Sequence, residues 1–158
     1  MNTGKTNALR LLEAAGIAYR PYEYPTDDGK IDAVSVAEKI GAEPERVFKT
    51  LVTESPDQEH FVFIIPGNAE LDLKKAARAA GKKSIEMLKV KELLPLTGYV
   101  HGGCSPVGMK KFFPTWIDEN AILYDKIFVS GGRVGLNLEL PPELLASFLP
   151  AEFTDLSK

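Results

Sequence analysis

Residues that could do chemistry are concentrated in the segment 101–111, HGGCSPVGMKK, which combines an imidazole, a thiol, three glycines and two lysines. Gly102 and Gly103 permit positive φ and have no side chains, so a ligand carbonyl or phosphate could reach their backbone N–H groups. Donors of this kind stabilise a developing oxyanion, and Lys110 and Lys111 add positive charge nearby. The segment predicts a loop that presents its backbone to a ligand, although Gly/Pro punctuation is also typical of ordinary turns with solvated lysines.

A second candidate is Lys49, in the segment 47–52, VFKTLV, whose β-branched and aromatic content is typical of a strand. Alternation along a strand puts Val47, Lys49 and Leu51 on one face, and the opposite face is also largely apolar. A lysine is rarely fully buried without a partner. Lys49 is therefore expected either to extend towards solvent at the strand end or to project into a pocket with a function, and the pocket is the favoured interpretation.

Covalent catalysis by a side chain of the protein is not favoured. Cys104 and His101 lie three residues apart, and a Cys/His nucleophile pair is one interpretation. A free cysteine is more often a small buried hydrophobic residue, and nothing in the spacing brings these two side chains together. The chain also lacks the GxGxxG, Walker A, HExxH and GxSxG signatures.

The composition indicates one domain over residues 1–158, with 44% hydrophobic residues available for a core. The chain has no run of about 18 apolar residues and no secretory signal pattern. Its single cysteine excludes an internal disulfide, and two histidines give little basis for a metal site. We expect a cytoplasmic protein that has no metal, no cofactor and no membrane-spanning segment.

The charge is unevenly distributed. The whole chain has a net charge of −3, but the segment 74–111 holds nine basic and two acidic residues, which leaves +7 there and −10 elsewhere. This asymmetry indicates a surface that faces a polyanion, although solvated basic helix faces would give the same count. The basic residues that we expect to contact the polyanion are Lys74, Lys75, Arg78, Lys110 and Lys111.

Helical spacing and capping residues predict five helices. They cover 8–15 (capped by Thr3 or Asn7, ended by Gly16), 34–40 (capped by Asp32 or Ser35), 73–80 (capped by Asp72), 90–94 (ended by Pro95) and 143–148. The strands are predicted at 17–24, 47–52, 60–66, 84–87 and 121–124, with a Gly-Gly hairpin joining 126–130 to 134–140. Residues 98–100 are expected to end a strand, and 112–119 to be irregular. The fold class is a single mixed α/β domain with antiparallel pairs and no regular βαβ alternation.

Four segments occur in an order and at separations that resemble a known family: VFKTL, LDLKKAA, TGYVHGGCSPVGMKK and IFVSGGRVGLNLEL. Together they closely resemble the YbaK/EbsC-type Cys-tRNA(Pro) deacylases of bacteria, the trans-editing domains of prolyl-tRNA synthesis. The resemblance covers nearly the whole chain. It implies a curved, largely antiparallel mixed β-sheet flanked by helices, and the hydrolysis of cysteine wrongly attached to proline tRNA beside a transiently bound prolyl-tRNA synthetase.

The resemblance also implies roles for individual residues. Lys49 would contact the substrate end, Gly102, with Gly103 beside it, would lie against the acyl ester, and the substrate's own thiol would attack that ester. The substrate-binding residues would be Tyr24, Ser105, Ser130 and Asn137. Some close relatives carry an acid at Asn137, and Tyr22 is the alternative to Tyr24. Two other functions remain open: deacylation of Ala-tRNA(Pro) or another small-residue aminoacyl-tRNA, and a non-catalytic module that binds aminoacyl-tRNA or the synthetase.

Overall fold

The structure is a computed structural model that describes residues 4–158. Its α-helices are α1 (Asn7–Ala14), α2 (Ala33–Ile40), α3 (Leu73–Ala80), α4 (Val90–Thr97) and α5 (Pro142–Phe148). Its strands are β1 (Arg20–Glu23), β2 (Phe48–Glu54), β3 (His60–Pro66), β4 (Glu86–Met87), β5 (Thr115–Asp118), β6 (Ile127–Ser130), β7 (Leu136–Leu140) and β8 (Ala151–Thr154). Short 3-10 helices cover Pro44–Arg46 and Glu119–Leu123.

The strands form two sheets that meet at a single bridge. The larger sheet has the order β4-β2-β3-β5-β8, and the smaller one has the order β1-β7-β6. Every pair is antiparallel except β3–β5 and β5–β8. Val47, just before β2, bridges to Phe128 of β6 and joins the sheets. The predicted class, a mixed and largely antiparallel α/β fold with flanking helices, is confirmed.

The central strand of the larger sheet, β3, has apolar side chains on both faces. Both faces of this sheet are therefore covered by other elements. Phe61, Phe63 and Ile65 face one way and pack against α3. Val62 and Ile64 face the other way and join the main core, together with α1 and the smaller sheet. Helix α3 and the main core therefore lie on opposite faces of this sheet.

Local capping explains where the helices begin and end. Asp32 caps α2 and Asp72 caps α3, as predicted, and each helix ends at a glycine with left-handed φ, Gly41 and Gly81. The cap of α1 is Thr6, whose hydroxyl accepts from the Leu9 N–H. The prediction of Asn7 as this cap was wrong, because Asn7 is the first helical residue, and Thr3 lies outside the described residues.

Four other local predictions were wrong. Pro95 lies inside α4 and does not end it, and Gly98, expected in a strand, is the left-handed cap of that helix. Residues 115–118, expected to be irregular, form β5. The strand predicted at 121–124 is wrong, because residues 119–123 form a 3-10 helix. β8, which sequence reasoning did not identify, pairs in parallel with β5. No helix within residues 4–158 has the length and apolar character needed to cross a membrane.

Candidate functional site

A pocket of about 360 Å³ opens where the edge of β2 faces the β6–β7 hairpin. The other walls come from the start of α2, from α4 and from the loop that follows α4. Seven residues predicted from the sequence as functional or as candidates line it: Tyr24, Lys49, His101, Gly102, Cys104, Ser130 and Asn137. The structure therefore brings together residues that lie more than 100 positions apart in the chain.

Lys49 is half-buried at the wall of this pocket. Its Nζ donates to the carbonyl oxygen of Gly67 at 3.3 Å. Burial lowers the pKa of Lys49 because it disfavours the charged form, and the carboxylate of Glu70 partly opposes this. No ion pair of Lys49 occurs in the part of the chain that the structure describes. Its ammonium group is therefore available to an anionic ligand oxygen.

The glycine loop contributes through Gly102, which has φ +84° and lines the pocket. Within residues 4–158 the Gly102 N–H has no hydrogen-bond acceptor, so it is available to a ligand. Gly103 differs from the expectation, because its φ is not positive and its N–H donates to the Val100 carbonyl at 2.9 Å. A Cβ there would lie 2.8 Å from the Val134 nitrogen, so Gly103 is needed for close packing and does not offer a donor.

The hairpin wall carries Ser130 and Asn137, which are directly opposite each other on β6 and β7. The Ser130 hydroxyl accepts from the Gly132 N–H at 3.2 Å, which leaves its own hydrogen free to donate. Asn137 is 6% exposed. Its Oδ1 and the Oγ1 of Thr50 are buried without a hydrogen-bond partner among the described residues. The pocket thus holds two polar oxygens that a ligand could satisfy.

The two tyrosines named from the sequence as alternatives, Tyr22 and Tyr24, have different surroundings. Tyr24 is buried and lines the pocket, and its N–H donates to the Gly135 carbonyl at 3.0 Å. The hydroxyl of Tyr22 donates to Glu139 Oε1 at 3.1 Å, and its ring packs edge-on against Phe128. Tyr22 is not among the pocket-lining residues. The geometry therefore favours Tyr24 over the alternative Tyr22.

Cys104 is buried in the pocket wall, and burial raises the pKa of its thiol to about 12. A nearby protonated histidine would lower that pKa, but no hydrogen bond joins His101 to Cys104 in residues 4–158. Ser105 does not line the pocket. It is fully buried, and its hydroxyl accepts from the Val107 N–H at 3.1 Å, so the structure gives it a role in holding the loop and no contact with a ligand.

The predicted polyanion contacts do not share one surface. Lys74, Lys75 and Arg78 lie on α3, on the face of the larger sheet opposite the main core. Lys110 and Lys111 follow Met109, which packs against the main core. Lys75 is already paired, with its Nζ 2.9 Å from Asp155 Oδ2. The charge asymmetry of the sequence therefore divides into two separate regions in the structure.

Ile31, Thr50 and Gly67 are among the pocket residues that sequence reasoning did not identify as functional. A Cβ on Gly67 would lie 2.2 Å from Ala33 Cβ, so only glycine lets α2 approach the end of β3. A glycine directly after an apolar strand was the available signal. In the region that the structure describes, no group of three or more His, Cys, Asp and Glu residues could hold a metal ion.

The fold and pocket define a class: a mixed α/β domain whose pocket lies between a lysine, a glycine loop and a polar hairpin wall. Residues 29–148 match the family model described as an aminoacyl-tRNA editing domain. The chain belongs to this aminoacyl-tRNA editing family, as the sequence resemblance implied.

Individual relatives agree with this assignment. The chain is 47% identical over 153 residues to the Enterococcus faecalis protein named "Putative Cys-tRNA(Pro)/Cys-tRNA(Cys) deacylase EbsC", covering 97% of this chain and 93% of that protein. It is 30% identical over 110 residues to the proline–tRNA ligase of Thermosipho melanesiensis, covering 66% of this chain and 19% of the ligase. The crystal structure of a "putative trans-editing enzyme for prolyl tRNA synthetase" superposes with a TM-score of 0.86 at 28% identity, covering 99% of both chains.

Proposed function

We propose that this chain is an aminoacyl-tRNA deacylase that hydrolyses Cys-tRNA(Pro) and so removes cysteine that prolyl-tRNA synthetase has wrongly attached. The observation that carries this proposal is the chemistry of the pocket. It offers an available lysine ammonium group and an available Gly102 N–H, whereas its one thiol has a pKa of about 12 and is almost entirely protonated near neutral pH. Such a pocket can hold and polarise an ester, but it supplies no thiolate nucleophile of its own.

A cysteinyl ester supplies that nucleophile. The substrate Sγ attacks its own ester carbonyl, a C–S bond forms, the bond from the carbonyl carbon to the ribose oxygen breaks, and the thiol proton passes to that ribose oxygen. The resulting cyclic thioester is opened by water to give free cysteine. The pocket's contribution is to hold the thiol near the carbonyl and to stabilise the oxyanion, for which the Gly102 N–H is the available donor.

Each wall of the pocket has a part in this scheme. Lys49 contacts an oxygen of the terminal nucleotide, and the Ser130 hydroxyl donates to the substrate. The unpaired oxygens of Thr50 and Asn137 accept from the substrate's ammonium group, which has three hydrogens to donate. Tyr24 closes the pocket on the side of the smaller sheet. Seryl and alanyl esters lack the attacking thiol, so they bind without being cleaved by this route.

The partner assignment rests on the relatives. A segment amounting to 19% of a proline–tRNA ligase is similar to this chain, and a structural neighbour is described as acting in trans for prolyl-tRNA synthetase. We therefore assign tRNA(Pro) as the tRNA of the substrate and prolyl-tRNA synthetase as a transient partner. The protein would act in the cytoplasm. Some close relatives carry an acid where this chain has Asn137. The amide oxygen of Asn137 still accepts a hydrogen bond from the substrate's ammonium group, but it does not form an ion pair with that group.

The test is the deacylation of Cys-tRNA(Pro), Ala-tRNA(Pro), Ser-tRNA(Pro) and Pro-tRNA(Pro) by the wild-type protein and by Lys49→Ala. We expect rapid loss of the cysteinyl ester alone and its abolition by the substitution. Faster loss of the alanyl ester would replace this proposal with an alanine-editing activity. Binding of aminoacyl-tRNA without hydrolysis of any ester would instead establish a non-catalytic module.

A further inference from the structure

A cluster of lysines beside the pocket has no anionic partner. Lys89 and Lys91 lie at the start of α4, and Lys110 and Lys111 lie in the loop that packs against the end of this helix. No ion pair of these four residues occurs between residues 4 and 158, and the Nζ of Lys110 contacts only the neutral Pro95 carbonyl, at 3.3 Å. Their ammonium groups are therefore unpaired within the described residues, with Glu92 the acidic residue in the first turn of the same helix.

The elements that carry this cluster, α4 and the loop after it, also contribute residues to the pocket. Leu93 of α4 lines the pocket, and so do His101 and Gly102 of the following loop. The backbone N–H of Lys110 donates to the Thr97 carbonyl at 3.0 Å, which fixes the lysine loop to the end of α4. The eight residues of α4 span about 12 Å. A polyanion that leaves the pocket over Leu93 would therefore meet positive charge at both ends of the helix.

Apolar side chains are exposed among these lysines, including Val90, which is 66% exposed between Lys89 and Lys91. Phe112 is 64% exposed and Leu94 is 50% exposed. Exposed aromatic residues between basic residues are typical of proteins that bind single-stranded nucleic acid, because bases stack on the ring while phosphates contact the lysines. We name these six residues the α4 surface: Lys89, Lys91, Leu94, Lys110, Lys111 and Phe112.

The second basic region, on α3, is partly paired and does not contribute to the pocket. Lys75 pairs with Asp155, and Lys82, just after the helix, pairs with Asp57 and Glu59. No residue of α3 lines the pocket, and the helix packs on the other face of the larger sheet. Of these two basic regions, the α4 surface is the one whose elements also line the pocket.

We infer that the α4 surface binds the single-stranded 3′ end and the adjoining acceptor strand of the aminoacyl-tRNA, and that α3 does not. This inference rests on the proposed function for the identity of the nucleic acid. The lysines contact backbone phosphates, and Phe112 stacks on one base of the 3′ end. Sequence-independent contacts of this kind hold any tRNA and leave the choice of tRNA(Pro) to a partner.

The experiment compares two matched variants, each of which removes three exposed positive charges. The first is Lys89→Gln/Lys91→Gln/Lys111→Gln, and the second is Lys74→Gln/Arg78→Gln/Lys83→Gln at and just after α3. The kcat/KM for Cys-tRNA(Pro) is measured from low to moderate salt concentration and compared with that for 3′-O-cysteinyl-adenosine, which has no phosphates to bind. Circular dichroism melting confirms that both variants are folded.

For the first variant we expect the slope of log(kcat/KM) against log salt to become shallower by about 2, because each lost phosphate contact contributes about 0.7 on a single strand. The second variant should keep the wild-type slope. Phe112→Ala should lower kcat/KM on tRNA about 5-fold or more with the slope unchanged, because stacking is not electrostatic. Neither triple variant should affect the cysteinyl-adenosine reaction, because this substrate has no phosphates for the lysines to contact.

Equal slopes in the two triple variants, or a loss confined to the α3 variant, would overturn the inference. A defect of the first variant that appears only when prolyl-tRNA synthetase is present would also overturn it, and would make the α4 surface a protein-binding site. If the wild-type protein hydrolyses neither substrate, the proposed function fails separately. The same variants are then compared by fluorescence anisotropy with labelled tRNA(Pro), where the same difference in salt slope is expected.

Discussion

The side chain of Ile31 covers the α-carbon of Gly102. A Cβ built on Gly102 would lie 2.5 Å from Ile31 Cδ1 and 3.2 Å from Ile31 Cγ1, and both residues line the pocket. Ile31 comes just before the cap of α2, whereas Gly102 follows α4. The contact therefore fixes the distance between the two loops that form the mouth of the pocket.

Gly102→Ala is expected to lower kcat/KM for Cys-tRNA(Pro) by at least about tenfold. The new methyl group collides with Ile31, and an L-residue at φ +84° adds about 1–2 kcal/mol of backbone strain. The double variant Gly102→Ala/Ile31→Val removes the Cδ1 atom and separates these two causes. Partial recovery of kcat/KM in the double variant would identify the collision as the main cause, and no recovery would identify the backbone conformation.

Lys49 is expected to give the activity an alkaline limit below that of an ordinary lysine. Burial lowers its pKa from 10.5, so the ammonium group that contacts the substrate is lost as the pH rises through this lowered value. The measurement is kcat/KM for Cys-tRNA(Pro) against pH, with Lys49→Met as the background for spontaneous ester hydrolysis. An activity that stays constant up to pH 10.5 would show that the charge on Lys49 has no part in the reaction.

The same pKa shift has a consequence for stability. Because the folded state holds Lys49 at a lowered pKa, the unfolded state binds more protons between the two pKa values, and the free energy of unfolding rises with pH in that window. Relative to Lys49→Met, the wild-type protein should therefore become more stable between neutral pH and about pH 10. Urea unfolding at the two pH values measures this difference, and a difference of the opposite sign would mean that the lysine is not desolvated.

The fold could be predicted from the sequence where short-range chemistry decides it. Asp32 and Asp72 cap helices through N–H groups a few residues away, and a glycine pair marks the β6–β7 hairpin. Such signals do not extend to β5 and β8, whose parallel pairing joins residues about 36 positions apart. Pro95 also misled the prediction, because a short helix tolerated the missing N–H and continued to Thr97.

For the site too, some residues could be predicted from the sequence and others depend on long-range packing. Lys49 was visible as a charged residue in an apolar strand, and Gly102 as part of a glycine loop. The unpaired Thr50 oxygen was not visible, because only the packing of β2 against the hairpin shows that no partner reaches it. Gly103 and Ser105 belong to the same loop as Gly102 and were predicted with it. Their roles are structural, because Gly103 packs closely against the Val134 backbone and the Ser105 hydroxyl accepts from the Val107 N–H.

Cys104→Ala is expected to retain activity close to that of the wild-type protein. A thiol with a pKa of about 12 supplies almost no thiolate near neutral pH, so its removal takes no nucleophile from the reaction. The cost should be in stability, about 1 kcal/mol for the small cavity left in the core. The measurements are single-turnover deacylation of Cys-tRNA(Pro) and urea unfolding. An inactive variant with a native circular dichroism spectrum would replace the substrate-thiol mechanism with catalysis by Cys104.

Thr50→Val should make the protein more stable and less active. The Thr50 hydroxyl is buried without a hydrogen-bond partner in the described part of the chain, so an isosteric methyl group relieves a desolvation penalty of about 1 kcal/mol. It also removes an acceptor for the substrate, and we expect kcat/KM to fall about tenfold. Thr53→Val is the matched control on the same strand. Its hydroxyl donates to the Phe61 carbonyl at 2.9 Å and does not line the pocket, so this substitution should lower stability and spare activity. Urea unfolding and steady-state deacylation measure both effects, and a Thr50→Val protein with wild-type activity would show that the unpaired oxygen does not bind the substrate.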